Sequence, residues 1–340
     1  MNLRETVLLI ATVATMLAAD GRHVINRIPV PGDYGWDYLT SDSDSRRLYV
    51  SHQREVVVID LDSDKIVGRI PEDEKAEVHG TAVDHKLGRG FVSNTDPGSV
   101  TIFDLKTLAK IDKVRVGDDP NAILFDSQTG RVFTVDRGSK RVTAIDAASG
   151  KVVAASPDLQ GRTEHAALDG KDHIFVNIQS LNTLLKLDTQ SLKVIQSWPT
   201  APCGQPSSMD MDRVHNRVFI GCRSGAMIVV NGDTGAIVTN QAIGMGVDAV
   251  EFDDQRGLIY FSTGGDGNLW VFHEDSPDKY TMVETAKTQT GARTLAVDHK
   301  TGKVYLSAAQ FGPPPAPAPG GRQGRGQMVP GSFSVLVVGQ

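Results

Sequence analysis

One aromatic position recurs along the whole chain at a nearly constant interval: Tyr49, Phe91, Phe133, Phe175, Phe219, Tyr260 and Tyr305 stand 42, 42, 42, 44, 41 and 45 residues apart. Self-similarity at such a period means that one supersecondary unit is copied, and that no copy buries its apolar face alone. An Asp precedes each aromatic by seven residues (Asp42, Asp84, Asp126, Asp212, Asp253, Asp298) or by six (Asp169). Turn residues fill the gap, as in Asp84-His-Lys-Leu-Gly-Arg-Gly-Phe91 and Asp298-His-Lys-Thr-Gly-Lys-Val-Tyr305. Asp accepts backbone N–H bonds in a turn and Gly supplies positive φ, so each segment reads as a hairpin.

A third strand follows each aromatic, as in Val56-Val-Val-Ile-Asp60, Val100-Thr-Ile-Phe-Asp104, Val142-Thr-Ala-Ile-Asp146 and Leu184-Leu-Lys-Leu-Asp188, and after a second polar turn comes a fourth. Four short strands, a to d from the inside outward, in about 42 residues make the blade of a β-propeller. The two ends separate a closed ring from an open solenoid. The seventh repeat stops after its third strand, Ser334-Val-Leu-Val-Val338, while Val24-Ile-Asn-Arg-Ile-Pro29 at the other end matches the fourth strand of the first blade, Ile66-Val-Gly-Arg-Ile-Pro71. The fold expected is therefore all-β, a seven-bladed β-propeller of four-stranded blades, with the last blade closed by the N-terminal strand so that no sheet edge is left to template aggregation.

Cores such as Arg47-Leu-Tyr-Val-Ser51 and Val56-Val-Val-Ile-Asp60 resemble the YVTN-type repeat of the bacterial YncE-like propeller family, over essentially all of residues 24 to 338. The resemblance implies a seven-bladed, usually exported propeller with a binding role. Its motif describes blades and carries no catalytic residue.

The amino terminus agrees with export. Apolar Thr6 to Ala19 follows Arg4 and precedes polar Asp20 to His23, the order of a signal peptide over 1–19, leaving a propeller over 20–340 with no membrane span in the mature chain. The net charge is −6 and no basic run is present, so a phosphate backbone is not an expected partner, and Trp36 alone offers no stacking platform for single-stranded nucleic acid.

The d-to-a and b-to-c loops of a propeller share one face, where ligands are usually met around the channel mouth. Five residues before each repeat Asp, the innermost strand begins with Asp37, His79, Asn121, Glu164, Ser207, Asp248 or Arg293, and His165 adjoins the ring. All are polar, and together they could orient an anionic or polyhydroxyl ligand. The same oxygens of Asp37, Asn121, Glu164 and Asp248 could instead hold a Ca²⁺-type ion, as in metal-dependent propeller lactonases, and His79 could pair with Glu164 or Asp248 for acid–base work. No nucleophile elbow, haem, zinc or phosphate-loop motif accompanies them. Cys203 and Cys222 fall on neighbouring loops of this face and read as a disulfide. A Pro/Gly-rich loop over 311–332 interrupts the seventh blade there. The expectation is a monomeric, exported binding scaffold for a small molecule or protein, without cofactor or catalytic step. A metal-dependent lactonase or lyase is the alternative, and the opposite face is expected to be structural.

Overall fold

The structure, a computed structural model, describes residues 21–32, 35–313 and 326–340. The leader expected over 1–19 and most of the loop expected over 311–332 lie outside them. Seven four-stranded antiparallel sheets follow one another along the chain. The first consists of Leu39–Asp42, Arg47–His52, Glu55–Asp60 and Lys65–Pro71. The last joins Leu295–Asp298, Lys303–Ala308 and Ser334–Gly339 to the N-terminal strand His23–Pro29, which pairs from His23 with Gly339 to Pro29 with Ser334. The seven-bladed propeller and its N-terminal closure are thus as the repeats predict.

Each feature of the repeat has a physical office. The seven aromatics are the centres of the sheets' apolar packing, none more than 1% exposed. The repeat Asp side chains are buried and cap the a-to-b turn, as where Asp84 accepts the N–H groups of Lys86 and Leu87 at 2.9 and 3.2 Å. Four residues on, the chain turns left-handed at Gly88, Gly130, Gly257 and Gly302, with φ between 63° and 73°. Glycine meets that requirement without steric cost. Asp60, Asp104, Asp146 and Asp188 close the c-to-d turns by accepting the N–H and hydroxyl of a Ser or Thr three residues on.

Neighbouring blades are also tied by arginines at the start of strand b. Arg47 reaches the carbonyl of Leu105, Arg89 those of Ala147 and Ala148, Arg131 those of Thr189 and Gln190, and Arg217 that of Pro277, each in the c-to-d turn of the next blade. These bonds to a charged donor fasten the lower rim, the face opposite the expected site.

Candidate functional site at the channel mouth

The innermost strands bring the predicted ring to the upper end of the channel, but they do not leave it open. Tyr38, on the first blade, crosses the channel. Its hydroxyl accepts from Asn121 Nδ2 of the third blade at 3.0 Å, and its ring meets His165 of the fourth edge-on, with centroids 5.3 Å apart. Asn121 also donates to the Glu164 carbonyl at 2.7 Å. Below this layer lies a cavity whose lining includes Tyr38 and His165 and none of Asp37, His79, Asn121, Glu164, Asp248 or Arg293. The upper mouth is therefore a closed dish with Tyr38 in its floor.

Charges in the dish are arranged in two levels. The acids lie deep: Glu164 is 3% exposed, and the Asp37 and Asp248 side chains are 18% and 16%. Arginines stand over them. Arg223 Nη2 contacts Glu164 Oε1 at 3.3 Å and Asp248 Oδ1 at 2.7 Å. Arg293 contacts Asp248 Oδ2 through Nε at 2.9 Å, donates to the Trp36 carbonyl at 3.0 Å and lies 5.4 Å from the centre of the Trp36 ring. Arg137 makes a two-pronged pair with Asp119 at 2.8 and 2.9 Å. The Arg223 and Arg293 side chains are 37% and 27% exposed, more than the acids they pair with.

Burial opposes charge throughout this layer, and named partners decide which groups keep it. Burial works to raise the Asp37 carboxyl, but the charge and hydrogen bond of His79 Nδ1, with Arg293 beyond, hold it below the usual carboxylate range. Burial likewise works against the His79 imidazolium, and Asp37 outweighs it, so His79 is shifted up. At Glu164 burial prevails over Arg223 and Arg162 and pushes the carboxyl up. His165 is pushed down by burial to about 4 and stays neutral at pH 7. Burial, reinforced by Asp37 and Glu164, keeps Tyr38 a neutral phenol.

One expectation needs correction. Ser207 belongs to the wall and not to the ring: it is fully buried, with its hydroxyl 2.6 Å from the Val247 carbonyl of the next blade. A short side chain at that position reaches the neighbouring strand before it reaches the channel. The rest of the ring is deeply placed as well, since His79, Asn121 and Glu164 are each at most 5% exposed. His79 Nε2, Asn121 Oδ1 and the Trp36 Nε1 beside them have no hydrogen-bond partner among the described residues. Sealed polar atoms of this kind are where bound water or ligand is normally found.

The repeat register used above misses Arg137 and Arg223. Both occupy the position four after the repeat aromatic, where the other blades carry Gln53, Thr95, Gln179, Gly264 and Ala309. Comparing that column would have found them. The expected disulfide is present. Cys203 and Cys222 are joined with Cα atoms 5.5 Å apart, and Arg223, next in the chain, donates its backbone N–H to the Gln205 carbonyl at 3.1 Å. The bridge thus anchors the loop that carries a mouth arginine. At the base of the Pro/Gly-rich loop, Phe311 packs 6.0 Å from Trp36, which stacks on Phe333 at 5.1 Å.

No protein-family model and no curated protein sequence matches the chain. Among solved structures, a chain of a mitotic checkpoint complex has a TM-score of 0.75 at 17% identity, over 91% of this chain and 96% of that one. At that identity the likeness concerns the fold alone. The protein is a seven-bladed β-propeller scaffold, a fold often used for binding.

Proposed function

We propose that the protein is an exported propeller, akin to the YVTN-repeat proteins, that binds a carboxylate-bearing ligand at its upper mouth and catalyses no reaction. The observation that carries this reading is the order of charge, with the partly exposed side chains of Arg223 and Arg293 over more deeply buried carboxylates that are already paired. Arginine presents a planar fork that matches a carboxylate, and a fork held in place by a buried acid loses little freedom on binding. His79, Asn121 and Trp36 beneath supply sealed polar atoms for the rest of the ligand or for bridging water.

The same arrangement argues against the Ca²⁺ alternative. A hard cation needs six to eight oxygens. Here Asp37 is engaged by His79 and Asp248 by two arginines, so an ion would have to displace charged groups and then sit beside them. No catalytic step through a metal is derived.

The test is isothermal titration of the chain lacking 1–19 with a panel of mono- and dicarboxylates, their amides and neutral sugars. At least one carboxylate is expected to bind, to weaken with added salt, and to lose about 10- to 100-fold in affinity in Arg223→Ala and Arg293→Ala. Amides binding as well as carboxylates, or stoichiometric calcium by elemental analysis, would overturn the reading.

A further inference from the structure

Beneath Tyr38 and His165 the channel widens into a cavity of about 580 Å³, which reaches the lower face between Asp212, Arg213, Val214, Asp254 and His299. That volume is in the range of small-molecule sites. Its wall joins aliphatic side chains, Leu39, Ala82, Leu124, Ala167 and Val250 among them, to polar ones.

Besides Asp212 and Asp254 at the lower opening, two acids line this wall, Asp210 and Glu251. The position two before the repeat Asp reads Thr40, Ala82, Leu124, Ala167, Asp210, Glu251 and Ala296, and in every blade but the last it lines the channel. Five blades fold without an acid there, so the fold does not require one. The exceptions are adjacent blades. Asp210 Oδ2 accepts the N–H of Phe252 at 2.7 Å and Glu251 Oε2 that of Val297 at 2.6 Å, which uses one oxygen of each. Three further polar groups in the same wall are left without hydrogen-bond partners among the described residues: the Ser41 hydroxyl, the Thr81 hydroxyl, on a residue 5% exposed, and His165 Nδ1. Buried polar groups left without partners cost stability, and a ligand that engages them offsets that cost.

We propose that this cavity is a second binding site, for a small primary ammonium compound with an apolar body, which enters from the lower face and sets its ammonium between Asp210 and Glu251. The aliphatic side chains of the wall take the body, and the two carboxyls supply the counter-charge. A metal ion fits less well. The metal-competent clusters among the described residues are Asp212, His215, Glu274 and Asp253, Asp254, His299, and neither includes Asp210 or Glu251.

Protonation follows from the surroundings. Burial, then the charge of Asp210, raises Glu251 well above the carboxylate range, and Asp253 adds to this. Burial also raises Asp210, with Arg213 and His299 opposing. An incoming ammonium favours the ionised pair, so binding releases protons and tightens as pH rises while the amine stays charged.

The experiment is calorimetric titration of the chain lacking 1–19 with n-hexylamine, 1-hexanol and hexanoate at pH 6 and pH 8, in two buffers of different ionisation heat. The amine is expected to bind about tenfold or more tightly than the alcohol at pH 8, with proton release, and less tightly at pH 6. Asp210→Asn with Glu251→Gln should abolish the preference, whereas Arg223→Ala, at the other end of the channel, should leave it intact. Equal binding of amine and alcohol, no amine binding in the millimolar range, or a preference that survives the double substitution would overturn the proposal. Should the double variant fail to fold, the pH series on the parent decides, and an amine-to-alcohol ratio that does not change between pH 6 and pH 8 would overturn it. The result is independent of whether the upper mouth binds a carboxylate.

Discussion

The two ends of the channel solve the same problem in opposite ways. Both place carboxyl groups where burial makes charge costly. At the upper end the acids of the dish have cationic partners within contact distance: His79 for Asp37, and arginines for Asp119, Glu164 and Asp248. At the lower end Asp210 and Glu251 face backbone N–H groups and each other, and burial drives their pKa values up. The upper end is thus a compensated network in which removing one member strands another. At the lower end burial favours the neutral acids, and an arriving positive charge would favour their ionised forms. Tyr38 keeps the two apart.

The largest expected effect is a control on that comparison. Deleting His23 to Val30 removes the strand that closes the seventh blade, and should lower the melting temperature markedly and abolish binding at both ends together. A variant that kept binding at one end would show that the two ends do not depend on the same ring. Reducing Cys203–Cys222 comes next. Its loop-closure contribution is about 3 kcal/mol, and since it anchors the Arg223 loop, reduction should weaken carboxylate binding above and leave amine binding below unchanged. Denaturant titrations with and without reductant, paired with both binding assays, check this.

Asn121→Ala sharpens the upper side. It leaves the Tyr38 hydroxyl and the Glu164 carbonyl without their donor and should cost about 2 kcal/mol in chemical denaturation. A loss below half of that would mean the closing layer is not held by this amide.

The smallest effect reads the lower side through pH. Glu251 is raised in the folded state, so above the unfolded carboxylate value of about 4.3 the folded chain binds more protons than the unfolded one. Stability therefore falls as pH rises from there toward the folded pKa, and no penalty exists below it. Glu251→Gln should be more stable than the parent at pH 8 and equal to it at pH 4. A difference of the same size at both values would assign the effect to packing instead.

The architecture was readable because its evidence is one-dimensional. A fixed interval between buried aromatics survives without any knowledge of contacts, and so does a missing fourth strand that reappears at the opposite terminus. Side-chain direction is different. Asp37, His79, Asn121, Glu164, Asp248 and Arg293 were found by counting back from the repeat Asp, yet the same count admitted Ser207, whose hydroxyl turns into the wall. It also passed over Tyr38, Arg137 and Arg223, which reach the mouth from other columns. Taking the lower face as purely structural followed from its uniform turns. The exceptions, Asp210 and Glu251, stand inside the channel, two positions before those turns, where comparing blades column by column exposes them.

The joint between the first and last strands also bears on how the ring fails. Six other sheets are each continuous in the chain, whereas the seventh unites residues more than 300 apart, and bringing such distant segments together costs on the order of 5 kcal/mol in chain entropy. The joint should accordingly form last and part first, so that under thermal stress the molecule opens at this clasp while its remaining sheets are still whole. A permuted chain that begins at Leu295 and links Gln340 to Gly21 would make that sheet continuous and move the weak point to the gap between the sixth and seventh blades.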